Sequence, residues 1–545
     1  MLAYRPNGDI IWLEFHAAQA PRGRLLSTLK QPKNPIYNLS QSSKTGEIAF
    51  DVSSRVHEYG GGDFAVTKDF LWFTHQANTI IRYDFKTKRH TRFFTHSNKR
   101  FANFVEIEKS LICIEEDHSN PKKEPQNRIV CFDEDANASI FIEGADFYAD
   151  LVYCPYTQRL AWLQWNHPHM PWDMAECWVG DIISSKNGVN IANAHKIAGG
   201  QHHDKNSHYP SSACFQPCFD PQGTLYFVDD KMGYWQLYSE NHLDHPIAPF
   251  DSDTGMPLWQ LGMKTYAFLD DLSCIMAVCR TGLWHLEWVD PTQPNPKPIA
   301  LDLPFSEYQG LTGAKDGVIF TASTQNSHPQ IIYLKIHSSH DDPNKKYDWY
   351  PVNHHKWQIQ PTQSMQVAST FKNQKTKIDQ RAFSDKHLSM AQNITFPSLN
   401  GQAFAFFYPP HNADFMPLEN ELPPLIVRCH GGPTGQAVSS FSLKTQFWTN
   451  RGFAVLDVNY RGSTGFGRRY REQLKNQWGI LDVADACAGA KYLIAQKMVD
   501  QNKLIISGSS AGGFSVLAAL TFQQIFNAGC SAYGIGYLLD LANST

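Results

Sequence analysis

The sequence predicts two units: a β-propeller, best counted as seven-bladed, followed by an α/β domain on a parallel sheet. Two observations predict the propeller. Short apolar strands start near Ile10, Leu71, Leu111, Leu160, Leu225, Ile275 and Val318, about 40 to 65 residues apart. Most are followed by a polar turn and a second strand, as in FLWFTH then IIRYDF or SCIMAVC then LWHLEWV. A third observation predicts the α/β unit. From about Asn393 the texture changes to buried apolar runs alternating with helical patterns.

Each propeller strand is read from its alternation and its aromatic content. Radial repetition buries the faces of each sheet against its neighbours and leaves short edges. A pair of β-sandwiches is the competing reading, and the regular spacing argues against it. Because the first strand pattern begins so near Met1, the first blade is expected to be incomplete. The propeller is assigned to residues 1–350, a polar connection to 351–393, and the α/β domain to 394–545. Within that domain, NITFPSLNGQAFAFFYPP reads as a hairpin turning at Asn400-Gly401. LIVRC, GFAVLDVNY and KLIISG read as buried strands. Helices are expected near 445–450, 482–498 and after Ser510.

Composition bounds the function. The 545 residues carry a net charge of −4, with 42% hydrophobic and 18% charged residues. This balance gives no reason to expect nucleic acid or an anionic membrane as a partner. No signal-peptide pattern opens the chain and no apolar run reaches membrane-spanning length. The 11 cysteines show no framework spacing, so buried free thiols and a cytoplasmic location are expected. Cys214 and Cys218 lack a second pair or matching histidines, and no metal or other cofactor is expected. Nothing bears on oligomeric state, so a homo-oligomer stays open.

The chemistry is carried by Gly508-Ser509-Ser510-Ala511-Gly512, a G-x-S-x-G pattern between a buried strand and a small-residue helix. The pattern also arises by chance at glycine-rich turns; the strand and helix around it give it meaning. In α/β-hydrolases such an elbow exposes a nucleophilic serine at the sheet edge. Ser510 is therefore the candidate nucleophile. The oxyanion hole then takes the N–H of Ala511 and one from a glycine loop after an earlier strand. His430-Gly431-Gly432-Pro433 supplies that loop, with Gly432 as the chosen donor. His430 precedes the serine, whereas the base follows it in this fold, so His430 is read as shaping the loop. The stretch NYRGSTGFG after the next strand is read as mainly structural, with Tyr460 a candidate substrate contact. Glu58, in RVHEYGGG, is a candidate partner for a peptide amino group; a structural ion pair is the plainer reading.

The segments LPPLIVRCHGGPTGQA, QFWTNRGFAVLDVNYRGSTGFGRRYRE, QWGILDVADACAGAKYLI and IISGSSAGGFSVLAAL resemble the catalytic domain of the prolyl oligopeptidase family. The resemblance is to its acylaminoacyl-peptidase and dipeptidyl-aminopeptidase-like branch. SRVHEYGGGDF, NHPHMPWDMAECWVGDI and FQPCFDPQGTLYFVDDKMGYWQLY in the first half resemble the same branch. It implies a seven-bladed propeller capping an α/β-hydrolase that cleaves short peptides near their N-termini. It also implies an Asp and a His after the nucleophile. No histidine follows Ser510, and Asp540 is the single later acidic residue. The expectation is thus a hydrolase domain missing its C-terminal part, truncated at Thr545 and poorly active as written. An esterase and a non-catalytic propeller module are the alternatives.

Overall fold

The computed structural model describes residues 1–15, 23–28, 36–39, 50–185, 188–202, 209–248, 250–337, 347–352, 385–539 and 541. Most of the expected connection, 353–384, and Asp540 lie outside the described residues.

Among the described residues, seven antiparallel sheets follow one another along the first 351 positions. They hold four, four, four, five, three, four and four strands, in chain order. The first sheet has four strands, between Leu2 and Asn38, so the incomplete first blade is not what the structure shows. The strands read from sequence are the second and third of their blades, for example Phe70–His75 with Thr79–Asp84. They were legible because they are nearly continuous apolar runs that bury both faces.

The ring closes by side-chain packing. Leu2, Ile10 and Trp12 of the first blade pack with Ala314, Ile319, Ile331 and Tyr333 of the last. Each of these two blades takes its strands from its own stretch of chain.

A second tie crosses the ring. Gly61, just before the innermost strand of the second blade, forms a parallel bridge with Leu261, just before that of the sixth. Gly62 N–H donates to Leu261 O (2.9 Å) and Leu261 N–H to Gly60 O (3.0 Å). Asn103 of the third blade donates its N–H to Gly62 O (2.7 Å). Asp150 of the fourth accepts from Gly262 N–H (2.9 Å). Burial pushes the Asp150 carboxyl up to about 6, opposed by the Gly262 hydrogen bond and then by Lys264.

That shift has a sign. A raised carboxyl costs stability as pH rises from about 4 to about 6, and the full cost persists above. Asp150→Asn keeps an oxygen for Gly262 N–H and removes the charge. The variant should be more stable than the parent by up to ~3 kcal/mol at pH 8, with the gain fading below pH 5. Urea midpoints at the two pH values check this; an equal effect at both would contradict it.

The second unit is a six-stranded sheet ordered 392–398, 401–408, 454–459, 425–429, 504–509 and 528–532. The first two strands form the expected hairpin, with Asn400 at φ 55°. The last four run parallel. Helices Leu481–Ala495 and Ala511–Phe522 pack on one face, where Val483, Ala490, Leu493 and Val516 meet Val427, Leu456 and Ile506. Helix Leu443–Thr449 lies on the other, with Trp448 among Phe406, Ile426 and Val455. Parallel strands set their C-terminal ends on one edge, and that edge faces the propeller. Among the described residues, no helix is long and apolar enough to cross a membrane.

Candidate active site

Strand Leu504–Ser509 turns directly into helix Ala511–Phe522. Ser510 is the joint, at φ 54° and ψ −121°. This backbone is sparsely populated for a non-glycine residue, and it persists because the surroundings fix it. Ser510 N–H donates to Ala532 O (3.1 Å) and Ser510 O accepts from Phe514 N–H (3.2 Å). The turn also needs bare backbone on both sides of the serine. A Cβ on Gly508 would stand 2.3 Å from Gly512 O, and one on Gly512 would stand 2.2 Å from Cys429 O.

The loop after strand Leu425–Cys429 lies beside this turn. A Cβ on Gly431 would be 3.7 Å from Ser510 Cβ. Gly432 sits at φ 125°. Ala511, the first residue of the helix, is fully buried. The structure thus brings Ser510, Ala511 and the His430–Pro433 loop together at one edge of the sheet.

His430 is partly buried, with Nε2 2.7 Å from Ser463 Oγ and Nδ1 2.8 Å from Gly431 O. Its ring stacks on Tyr460 at 4.2 Å. Burial pulls its pKa down to about 4, so the ring is neutral at ordinary pH. Tyr460 does not reach the surface where a substrate contact was expected. It is fully buried, and its hydroxyl donates to His430 O (2.9 Å). Ser463 Oγ donates to Tyr460 O (2.7 Å), and Thr464 N–H donates to Gly435 O (2.8 Å). The NYRGST stretch is therefore a scaffold beneath the glycine loop.

Two more buried ties hold this scaffold. Arg461 forms an ion pair with Asp485 (2.6 Å). Asp482 accepts from Gly479 N–H (2.6 Å) and from Ser515 Oγ, which joins the start of one helix to the nucleophile helix. Both aspartates occupy the helix that begins at Leu481.

Glu58 stands apart from these groups, on the propeller. Its side chain is 72% exposed and pairs with Arg100 (2.7 Å), which also reaches Glu116 (3.1 Å). Its φ is 64°, and that of His57 is 54°. The carboxylate is open to solvent and already partnered.

Sequence reasoning missed how the two units meet. Arg468 and Arg471 both reach into the propeller and converge on Asp230, at 3.1 and 2.5 Å. Arg468 N–H donates to Gly233 O (2.7 Å) and Gly467 N–H to Asp253 (3.1 Å). Burial raises the Asp253 and Asp229 carboxyls to about 6. The arginine-rich run GRRYRE was the available signal.

Residues 439–545 match the Prolyl oligopeptidase family. Those residues carry the sequence pattern of that family. The match covers the NYRGST stretch, the two long helices and the elbow, and begins after the His430–Pro433 loop. A curated relative in this family, Dipeptidyl peptidase family member 6 of Caenorhabditis elegans, is 35% identical over 121 residues. That stretch is 22% of this chain and 16% of the relative's length. A puromycin-hydrolyzing peptidase of Mycobacterium tuberculosis has a similar solved structure, with a TM-score of 0.81 and 26% identity, covering 98% of this chain and 78% of that one. The solved puromycin hydrolase gives a TM-score of 0.82 at 22% identity, covering 99% of this chain and 78% of its own. The two-domain family fold, a seven-bladed propeller with an α/β-hydrolase domain, is thus present here.

Proposed function

We propose that this protein is a serine peptidase that cleaves short peptides near their N-termini through an acyl-enzyme on Ser510. The observation that carries the reading is the backbone of Ser510, held off the favoured regions between Gly508 and Gly512 with the His430–Pro433 loop beside it. In this arrangement the serine oxygen attacks the scissile carbonyl. The Ala511 and Gly432 N–H groups receive the developing oxyanion, each worth ~3–4 kcal/mol in the transition state. The acyl-enzyme is then hydrolysed by water. Glu58 receives the free amino group of the peptide, with Arg100 fixing its orientation.

The serine needs a general base. His430 is engaged by Ser463 and stacked on Tyr460, so it is the loop's support. No histidine follows Ser510 in these 545 residues. We therefore propose that residues 1–545 on their own hydrolyse amides slowly, relying on the oxyanion hole and binding for ~10³–10⁴-fold over water.

The test is reaction of Ser510 with an alkyl fluorophosphonate, followed by peptide anilide and matched ester hydrolysis. Labelling should vanish in Ser510→Ala. Anilide cleavage should weaken for free-amine substrates in Glu58→Gln while blocked substrates are unaffected. No labelling of the parent would overturn the peptidase reading, and cleavage of esters without amides would favour an esterase.

A further inference from the structure

Three aromatic side chains from separate propeller segments meet beside the glycine loop. Trp259 precedes the sixth blade, Tyr59 precedes the second, and Trp172 lies in the short helix Pro171–Met174 of the fourth. Trp259 packs on Trp172 with centroids 4.4 Å apart and edge-on to Tyr59 at 5.1 Å. The indole Nε1–H of Trp259 donates to Thr434 O (2.7 Å), two residues beyond Gly432. The cluster is therefore fixed to the same loop that borders Ser510.

Its exposure is graded. Trp172 is buried, Trp259 is partly buried, and Tyr59 is 58% exposed. Tyr59 follows His57 and Glu58, both held in the left-handed region. Two such residues in a row are costly and aim the next side chain in a fixed direction. Tyr59 directly follows Glu58 in the chain and keeps its ring more than half exposed. An apolar wall beside a carboxylate suits a group with an ammonium at one atom and an apolar side chain on the same carbon.

We infer that Trp259 and Tyr59 form the specificity-determining wall for an aromatic or large aliphatic side chain on the peptide's N-terminal residue. This rests on the peptidase reading above for its substrate class.

Calorimetry on the Ser510→Ala protein reads the wall without turnover. A tripeptide with N-terminal phenylalanine should bind roughly tenfold tighter than its glycine counterpart. Trp259→Ala should reduce that preference to about twofold, whereas Trp259→Phe, which restores a ring without the N–H, should keep most of it. Tyr59→Ser, at an exposed position, should reduce it as well and serves if Trp259→Ala fails to fold. An undiminished preference in Trp259→Ala or Tyr59→Ser, or none in the parent, overturns the inference. Fluorophosphonate labelling separates the two readings. Labelling without side-chain preference removes the wall alone; preference without labelling removes the serine chemistry and leaves a peptide-binding site.

Discussion

Asp230→Ala should lower stability by ~3–5 kcal/mol, because it leaves two buried arginines without their shared carboxylate. Arg468 and Arg471 are nearly inaccessible, and Asp230 is fully buried. Their guanidinium groups lie against Tyr209 and Trp235, at 4.4 and 4.1 Å from the ring centroids. Neither can regain a full hydration shell without parting the units. The urea midpoint of the variant measures the loss. A change under about 1 kcal/mol would mean that the pairs are solvated like surface pairs. Joint replacement of all three charges by apolar residues should cost far less than Asp230→Ala alone, because no charge is then left unpaired.

The second large effect is expected at Gly512. A Cβ there would lie 2.2 Å from Cys429 O and 2.7 Å from His430 O, and both are main chain. Backbone on the central strand cannot yield as a flexible side chain would. Gly512→Ala should cost ~4 kcal/mol or more and push the His430–Pro433 loop away from Ser510. Fluorophosphonate labelling should fall with it. Gly452→Ala is the comparison. A Cβ at Gly452 meets nothing within 4 Å, so its φ of 86° alone should cost ~1–2 kcal/mol. Equal losses at the two positions would show that crowding at the elbow is not the cause.

The readable parts of this chain are those whose cause is local. The second and third strands of each blade announce themselves as apolar runs joined by short turns. Three of the innermost strands do not, because each kinks around a polar residue. Asn103, Asp150 and Gln216 have φ of 60°, 52° and 48°, and their side chains bond to Leu151, Gly262 and Thr265. The elbow was legible because five adjacent residues encode it. Its surroundings were not. Tyr460 looked like a surface residue, since a loop sequence does not say which side chain turns inward beneath His430. Arg468 and Asp230 are 238 positions apart, and only folding makes them neighbours.

The bridge between Gly61 and Leu261 gives the propeller the mechanics of a wheel with a spoke across it. Without the spoke, parting the seam between the last and first blades would let all seven sheets unroll as an open arc. With it, a break at that seam is confined to the last, first and adjoining blades. The second to sixth blades stay a closed hoop, because the main chain at Gly60–Gly62 and Leu261 still joins their ends. The face that carries Glu58, Tyr59 and Trp259 belongs to the hoop, so the ring can loosen at its rim while those three residues keep their spacing.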